Sequence, residues 1–338
     1  MSNSKPSIPK RIAISVPIPP DVESTLNYAQ WAEREGYDDL WFTDGGGIDP
    51  LTLAAAAALK TERVRIGMAV VPVFTRTPAV LASTVMTLSH LMPGRFILGL
   101  GASSHAMVEG WHGLSYEKPL TRVKEMTLIL RSMLKGEKSE FAGETLRSHG
   151  YTLRPPVQGE VPIYLAALRH KMLELAGELG DGVVLNLFPG EALPKMLEHV
   201  DIGARRAGKT LADREIVCRH QIVVSANPAH DRETFRKHFA PYYATPVYNK
   251  FLAWCGYEET SATIAEGWAA KDRAKTSGAL TDDLIDRIAI IGTVEECHAR
   301  IRTLANDGID THIVQVMSQD PFSVRATLEA FSPRTFSF

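Results

Sequence analysis

Apolar runs of strand length alternate with helical patterns along almost the whole chain, and that alternation confines it to a parallel α/β architecture. The runs fall at Arg11–Val16, Leu40–Phe42, Val64–Val71, Arg95–Leu100, Val161–Ala166, Gly182–Leu185, Glu215–Val224 and His312–Met317. Most are nearly continuous in apolar character, as parallel strands covered on both faces require. Helical patterns stand between them at Val22–Glu35, Pro50–Leu59, Ala79–Leu91, Leu120–Leu134, Lys171–Leu179 and Val294–Asp307. Gly36 supplies a stop for the first helix, and Thr293 with Glu296 has the spacing of a capping box. Eight strands favour a closed (β/α)8 TIM barrel over a doubly wound open sheet.

The spacing gives one barrel domain over residues 1–338 with insertion segments. Lys135–Pro156 is a polar insert, and Asn227–Leu280 reads as a helical excursion. The aromatic residues Phe239, Tyr242, Tyr243, Tyr248, Phe251 and Trp254 mark the excursion as a packed subdomain or lid, not a linker. Ile288–Ile291 reads as a short extra strand, with the seventh barrel strand as the alternative.

A formal net charge of −2 offers no field for nucleic acid or an anionic membrane. Cys218, Cys255 and Cys297 form no CxxC pair, so neither a zinc site nor a disulfide framework is expected. Met1–Lys10 lacks the apolar core of a signal peptide, and reduced thiols fit a cytoplasmic protein. No cluster of His, Asp or Glu suggests a metal site.

In a barrel, chemistry sits at the C-terminal ends of the strands. The second strand runs out at Asp44, followed by three glycines; Asp44 is either a ligand contact or a helix cap. The third ends near Ala69 and Val70, where a small side chain leaves room for a flat ring. The fourth continues into Gly101, Ala102, Ser103, Ser104 and His105. This loop lacks the third glycine of a dinucleotide fingerprint and stands after the wrong strand for one. It remains a small-residue rim in which His105 is a candidate acid or donor. The fifth strand continues through Ala166, Ala167, Leu168, Arg169 and His170 into a helix. Free amides there, with Arg169, His170 and Lys171 adding positive charge, read as a phosphate pocket. No GxSxG, HExxH or P-loop motif is present, so a bound cofactor is the expected source of reactivity.

Val64–Pro78, Leu88–Gly101, Pro162–Ala167, Leu175–Gly182 and Ile291–Cys297 together resemble the luciferase-like monooxygenase superfamily. Lys171–Gly182 and Tyr242–Tyr257 are most similar to its F420-dependent oxidoreductase branch. The resemblance implies a (β/α)8 barrel, a homodimer, and hydride transfer between coenzyme F420 and a small-molecule substrate. FMN is the alternative cofactor, as in a luciferase-like monooxygenase, and a non-catalytic flavin-binding barrel is a further alternative. It places cofactor contacts at Asp44, Ala69, Val70, Gly101–Ser104, Ala166–His170 and Asn186, with a cis peptide at Ala69–Val70. His105 and then Asp44 become the candidate catalytic residues. Two departures stand out: Gly45 follows Asp44 where many relatives carry histidine, and Ser104 stands near a glutamate of the sugar-phosphate dehydrogenases.

Overall fold

A computed structural model describes residues 8–17 and 21–338; the reading of Met1–Lys10 falls mostly outside these. Eight parallel strands form the barrel: β1 (Arg11–Val16), β2 (Asp39–Phe42), β3 (Arg65–Met68), β4 (Phe96–Gly101), β5 (Ile163–Ala166), β6 (Gly182–Asn186), β7 (Glu215–Val224) and β8 (Thr311–Val316). Each pairs with its successor, and β8 pairs with β1 through Ile14 and Val314, so the sheet closes without an edge.

Helices α1 (Val22–Glu35), α2 (Pro50–Ala58), α3 (Pro78–Leu91), α4 (Pro119–Leu134), α5 (His170–Leu179) and α6 (Leu193–Arg206) follow the first six strands. Their limits come from local chemistry. Asp21 accepts from Ser24 N at 2.7 Å to start α1, and Gly36, at φ 96°, ends it in the left-handed region. The excursion after β7 comprises α7 (Pro228–Ala244), α8 (Pro246–Trp254), α9 (Glu258–Ala269), α10 (Arg273–Gly278) and α11 (Asp282–Ile288). Phe235, Phe239, Tyr243, Leu252 and Ile264 bury against one another there, giving it a satellite core. Ile290–Gly292 pairs with the end of β7 outside the barrel, as an extra strand. α12 (Val294–Asn306) opens with the Thr293–Glu296 capping box, and α13 (Pro321–Ala330) follows β8.

Two departures from the sequence reading have local causes. The run Val64–Val71 is not one strand: a cis peptide at Ala69–Val70 interrupts it, and Val71–Pro72 resumes pairing with β4. The insert Lys135–Pro156 holds a hairpin, Glu140–Ala142 against Arg147–His149. The Glu125 carboxylate fixes its turn by accepting from the amides of Glu144, Thr145 and Leu146.

Alternation sends odd-numbered residues of β1, β2, β3, β7 and β8 inward. At the base, Arg65 bridges two carboxylates, meeting Asp39 at 2.6 Å and Glu215 at 2.8 Å. Tyr164 and Thr311 donate to Glu215 as well. The guanidinium and these donors hold the Glu215 carboxyl down at about 2 despite burial, while burial raises that of Asp39. Above lies an apolar layer of Ala13, Trp41, Ile97, Tyr164, Val184, Val217 and Ile313. Gly67 is required there, because a Cβ would stand 2.5 Å from the Trp41 ring. The base is thus plugged, and within the barrel the described residues leave the opposite mouth for a ligand. Among the described residues no helix is long and apolar enough to cross a membrane.

Candidate active site

The mouth divides into two unlike walls. On β3, β4 and β5 it is small and apolar: Ala69, Val70 and Ala166 pack together over the central layer. Val70 follows the cis bond and turns its side chain toward β4. A Cβ on Gly101 would lie 2.5 Å from Val70 Cγ2 and 3.3 Å from Ala166 Cβ. Glycine at 101 therefore lets β4 approach the bulge and keeps this wall shallow.

On β6, β7, β8 and β1 the wall is polar. Arg219 Nε donates to Ser15 Oγ at 3.3 Å, and Arg219 Nη2 donates to Gln315 Oε1 at 2.7 Å. Gln221 Nε2 donates to Asn186 Oδ1 at 3.2 Å. The Tyr248 hydroxyl, from α8, shares a hydrogen bond with the Asn186 side chain; burial raises it to about 12. Tyr242 and Tyr248 bring the helical excursion over this side, close enough to act electrostatically on Arg219.

The rim after β4 is held by a column of rings. His105 lies 4.3 Å from Tyr116, Tyr116 lies 5.0 Å from Phe74, and the Arg122 guanidinium caps Phe74 at 4.7 Å. Tyr116 donates to Ser103 O at 3.0 Å, fixing Ser103 in the left-handed region at φ 63°. Burial raises the Tyr116 hydroxyl to about 12, so it stays a donor at neutral pH. The Ser103 hydroxyl contacts Met107 Sδ, and Ser104 Oγ accepts from Met107 N at 3.4 Å. Ala102 is half-buried against the main core. His105 is exposed and borders a cavity of about 240 Å³ with Ser104, Ala106, Ala244–Val247 and Trp268. This cavity separates the β4 rim from the turn between α7 and α8.

Asp44 does not cap a helix; Asp49 does, accepting from Thr52 N at 2.8 Å. Asp44 instead pairs with Arg76 at 2.5 Å, and Arg76 also reaches Asp49 at 2.6 Å. A carboxylate so held is a fixed hydrogen-bond acceptor.

The loop after β5 corrects one point. Ala167 N donates to Val184 O at 3.2 Å, so that amide is engaged in the barrel and not free as composition suggests. The first turn of α5 begins beyond it. Arg169 takes the N-cap position without a side-chain cap bond, and its carbonyl accepts from Met172 and Leu173. Leu168 turns into the main core. The His170 ring lies 5.9 Å from His199, whose Nδ1 meets Glu174 at 3.1 Å. The amides of this first turn, with Arg169 and Lys171, are what remains for a phosphate.

The positions expected from sequence lie at the ends of β2 to β6; sequence reasoning did not single out Ser15, Arg219, Gln221, Gln315 or Tyr248. A signal existed for two of them: Arg219 and Gln221 share the inward parity of Glu215 and Val217 on one long strand.

A model of the luciferase-like monooxygenase family matches residues 7–311. The chain is 30% identical over 308 residues to a 5,10-methylenetetrahydromethanopterin reductase of Methanolobus tindarius, covering 90% of this chain and 92% of that protein. It is 27% identical over 314 residues to a putative coenzyme F420-dependent oxidoreductase of Mycobacterium tuberculosis, covering 86% and 89%. The solved coenzyme F420-dependent tetrahydromethanopterin reductase of Methanopyrus kandleri has the same fold, with a TM-score of 0.78, 21% identity and 96% coverage of both chains. With its closed parallel barrel, its interrupted third strand and a match over nearly its whole length, the chain belongs to the luciferase-like monooxygenase family of enzymes.

Proposed function

We propose that this protein is an F420-dependent oxidoreductase that moves a hydride between coenzyme F420 and a small organic substrate. One observation carries the reading: the mouth has a shallow wall of Ala69, Val70, Gly101 and Ala166 above a plugged base. The small residues Ala69, Gly101 and Ala166 around Val70 leave room for a planar ring over this wall. The similarity to the Methanolobus tindarius reductase supports F420 as the cofactor. When bound, F420 supplies a carbon that donates or accepts a hydride.

The chain's own residues do the rest. Ala69, Val70, Gly101, Ala102 and Ala166 would hold the ring; Asn186 and the Asp44 carboxylate, fixed by Arg76, would fix its edge. Ser103 and Ser104 would line its rim, and the first turn of α5 with Arg169 and His170 would hold the phosphate, beside Ala167 and Leu168. Tyr248 of the excursion, hydrogen-bonded to Asn186, would cover part of the polar side. His105, next to the cavity and free of a carboxylate partner among the described residues, is the candidate proton donor to substrate.

FMN is the second reading, favoured by the description of the family as monooxygenases. Side-by-side titration of the purified protein with F420 and FMN tests the choice. F420 should bind at least about tenfold more tightly, a difference of about 1.4 kcal/mol. Tighter binding of FMN, with oxygen consumed in the presence of reduced FMN, refutes it. A cytoplasmic homodimer belongs to the same proposal.

A further inference from the structure

Arg219 sits on β7, four strands from β3 around an eight-stranded closed barrel, and so stands opposite the Ala69–Val70 wall. Its two hydrogen-bond acceptors, Ser15 Oγ and Gln315 Oε1, are both neutral. No carboxylate among the described residues pairs with it. This contrasts with Arg65 two layers below, which is matched by two carboxylates, and with Arg76 at the rim, which is also matched by two. A guanidinium carries five N–H donors. Two are used here, so three have no acceptor among the described residues. Burial draws the Arg219 guanidinium below its ordinary value, yet an arginine remains charged throughout the physiological range. A half-buried cation without a counter-charge is costly to keep unless a ligand completes it.

The neighbours fix how it is presented. Ser15 and Gln315 hold Nε and one Nη2 hydrogen, which locks the plane of the fork. Asn186 Oδ1 accepts from Gln221 Nε2, and neither side chain is hydrogen-bonded to the guanidinium. Tyr242 and Tyr248 of the excursion stand close enough to act electrostatically on the guanidinium, and Tyr248 is hydrogen-bonded to Asn186.

From this we infer that Arg219 is the anchor for a substrate carboxylate: the small organic substrate is an organic acid whose carboxylate docks on the free edge of the guanidinium. The planar fork matches a carboxylate in two-point geometry. The inference rests on the proposed function for the reaction, but its anion site stands apart from it.

The test uses benzoate and acetate as probes, with benzamide and acetamide as uncharged counterparts of the same shape. Binding is read by thermal shift of the protein without cofactor, and by the absorbance of bound F420 in the loaded protein. Wild type should bind the acids saturably and the amides not. R219M should weaken acid binding by roughly 10- to 100-fold, the worth of a charge-assisted bond, and R219K should recover part of it. F420 affinity should be unchanged in R219M. Equal binding of acids and amides, undiminished acid binding by R219M, or no saturable acid binding by wild type each overturns the inference. So does loss of F420 affinity in R219M, which would make Arg219 a coenzyme contact. If wild type binds the acids but not F420, the proposed function fails and the anion site stands.

Discussion

Replacing Arg65 by methionine removes the one cation shared by Asp39 and Glu215 at the base of the barrel. Four hydrogen bonds disappear, at 2.7 and 2.6 Å to Asp39 and at 3.0 and 2.8 Å to Glu215. Breaking one buried pair by truncating a partner costs about 3–5 kcal/mol, and here two carboxylates are left facing each other. With an unfolding entropy of about 2.1 cal/mol/K per residue, the loss should lower Tm by roughly 4–7 °C. The pH dependence carries a clearer signature. In wild type, Glu215 titrates at about 2, below its ordinary 4.5, so its contribution is full above pH 4.5 and is lost as pH falls toward 2. In R65M both carboxyls lose their cation and keep their burial, so their folded values rise above the unfolded ones. The folded variant then takes up protons before the unfolded chain does. Its deficit relative to wild type should therefore shrink as pH falls from 7 to 5, by up to about 1.4 kcal/mol per unit for each proton taken up. Urea denaturation at several pH values, followed by tryptophan fluorescence, to which buried Trp31 and Trp41 contribute, measures this. A deficit under about 1 kcal/mol at pH 7, or one that grows on acidification, refutes the reasoning.

G101A places a methyl group 2.5 Å from Val70 and fills the shallow wall. It should cost about 1–3 kcal/mol of stability by overpacking and weaken F420 binding further than that loss explains, as titration of the folded variant would show. H105Q should lower kcat by about 10²-fold or more and leave F420 affinity alone, read by single-turnover and binding assays together. His220 and His312 stand 3.0 Å apart in the core, and burial holds His220 down at about 3 and His312 well below its ordinary 6.5. Both are neutral when folded, so their contribution is full above pH 6.5 and is lost on acidification, at up to about 1.4 kcal/mol per unit for each. The H220N/H312N variant should flatten the decline in stability between pH 6.5 and 4.5, measured by urea denaturation.

The barrel was readable because its strands are buried on both faces and its helices carry their own stops, as Gly36 and the Thr293–Glu296 box do. The excursion was readable from its aromatic residues, whose burial needs a core. The interruption of β3 left no mark in hydrophobic pattern, because Ala69 and Val70 are as apolar as the strand around them; it entered only through the family resemblance. Reading the loop after β5 by composition alone gave Ala167 a free amide, although a barrel neighbour already uses it. Arg219 was hidden by treating Glu215–Val224 as one apolar run. Its parity with Glu215 and Val217 would have turned it inward, while His220 faces outward to His312.

The most direct test of the account is an experimental structure of the protein with F420 bound. The account predicts the deazaflavin ring in contact with Ala69, Val70 and Ala166 in the barrel mouth, with the phosphate at the first turn of α5 near Arg169. A ring bound anywhere else on the molecule, or a phosphate held away from α5, would contradict it.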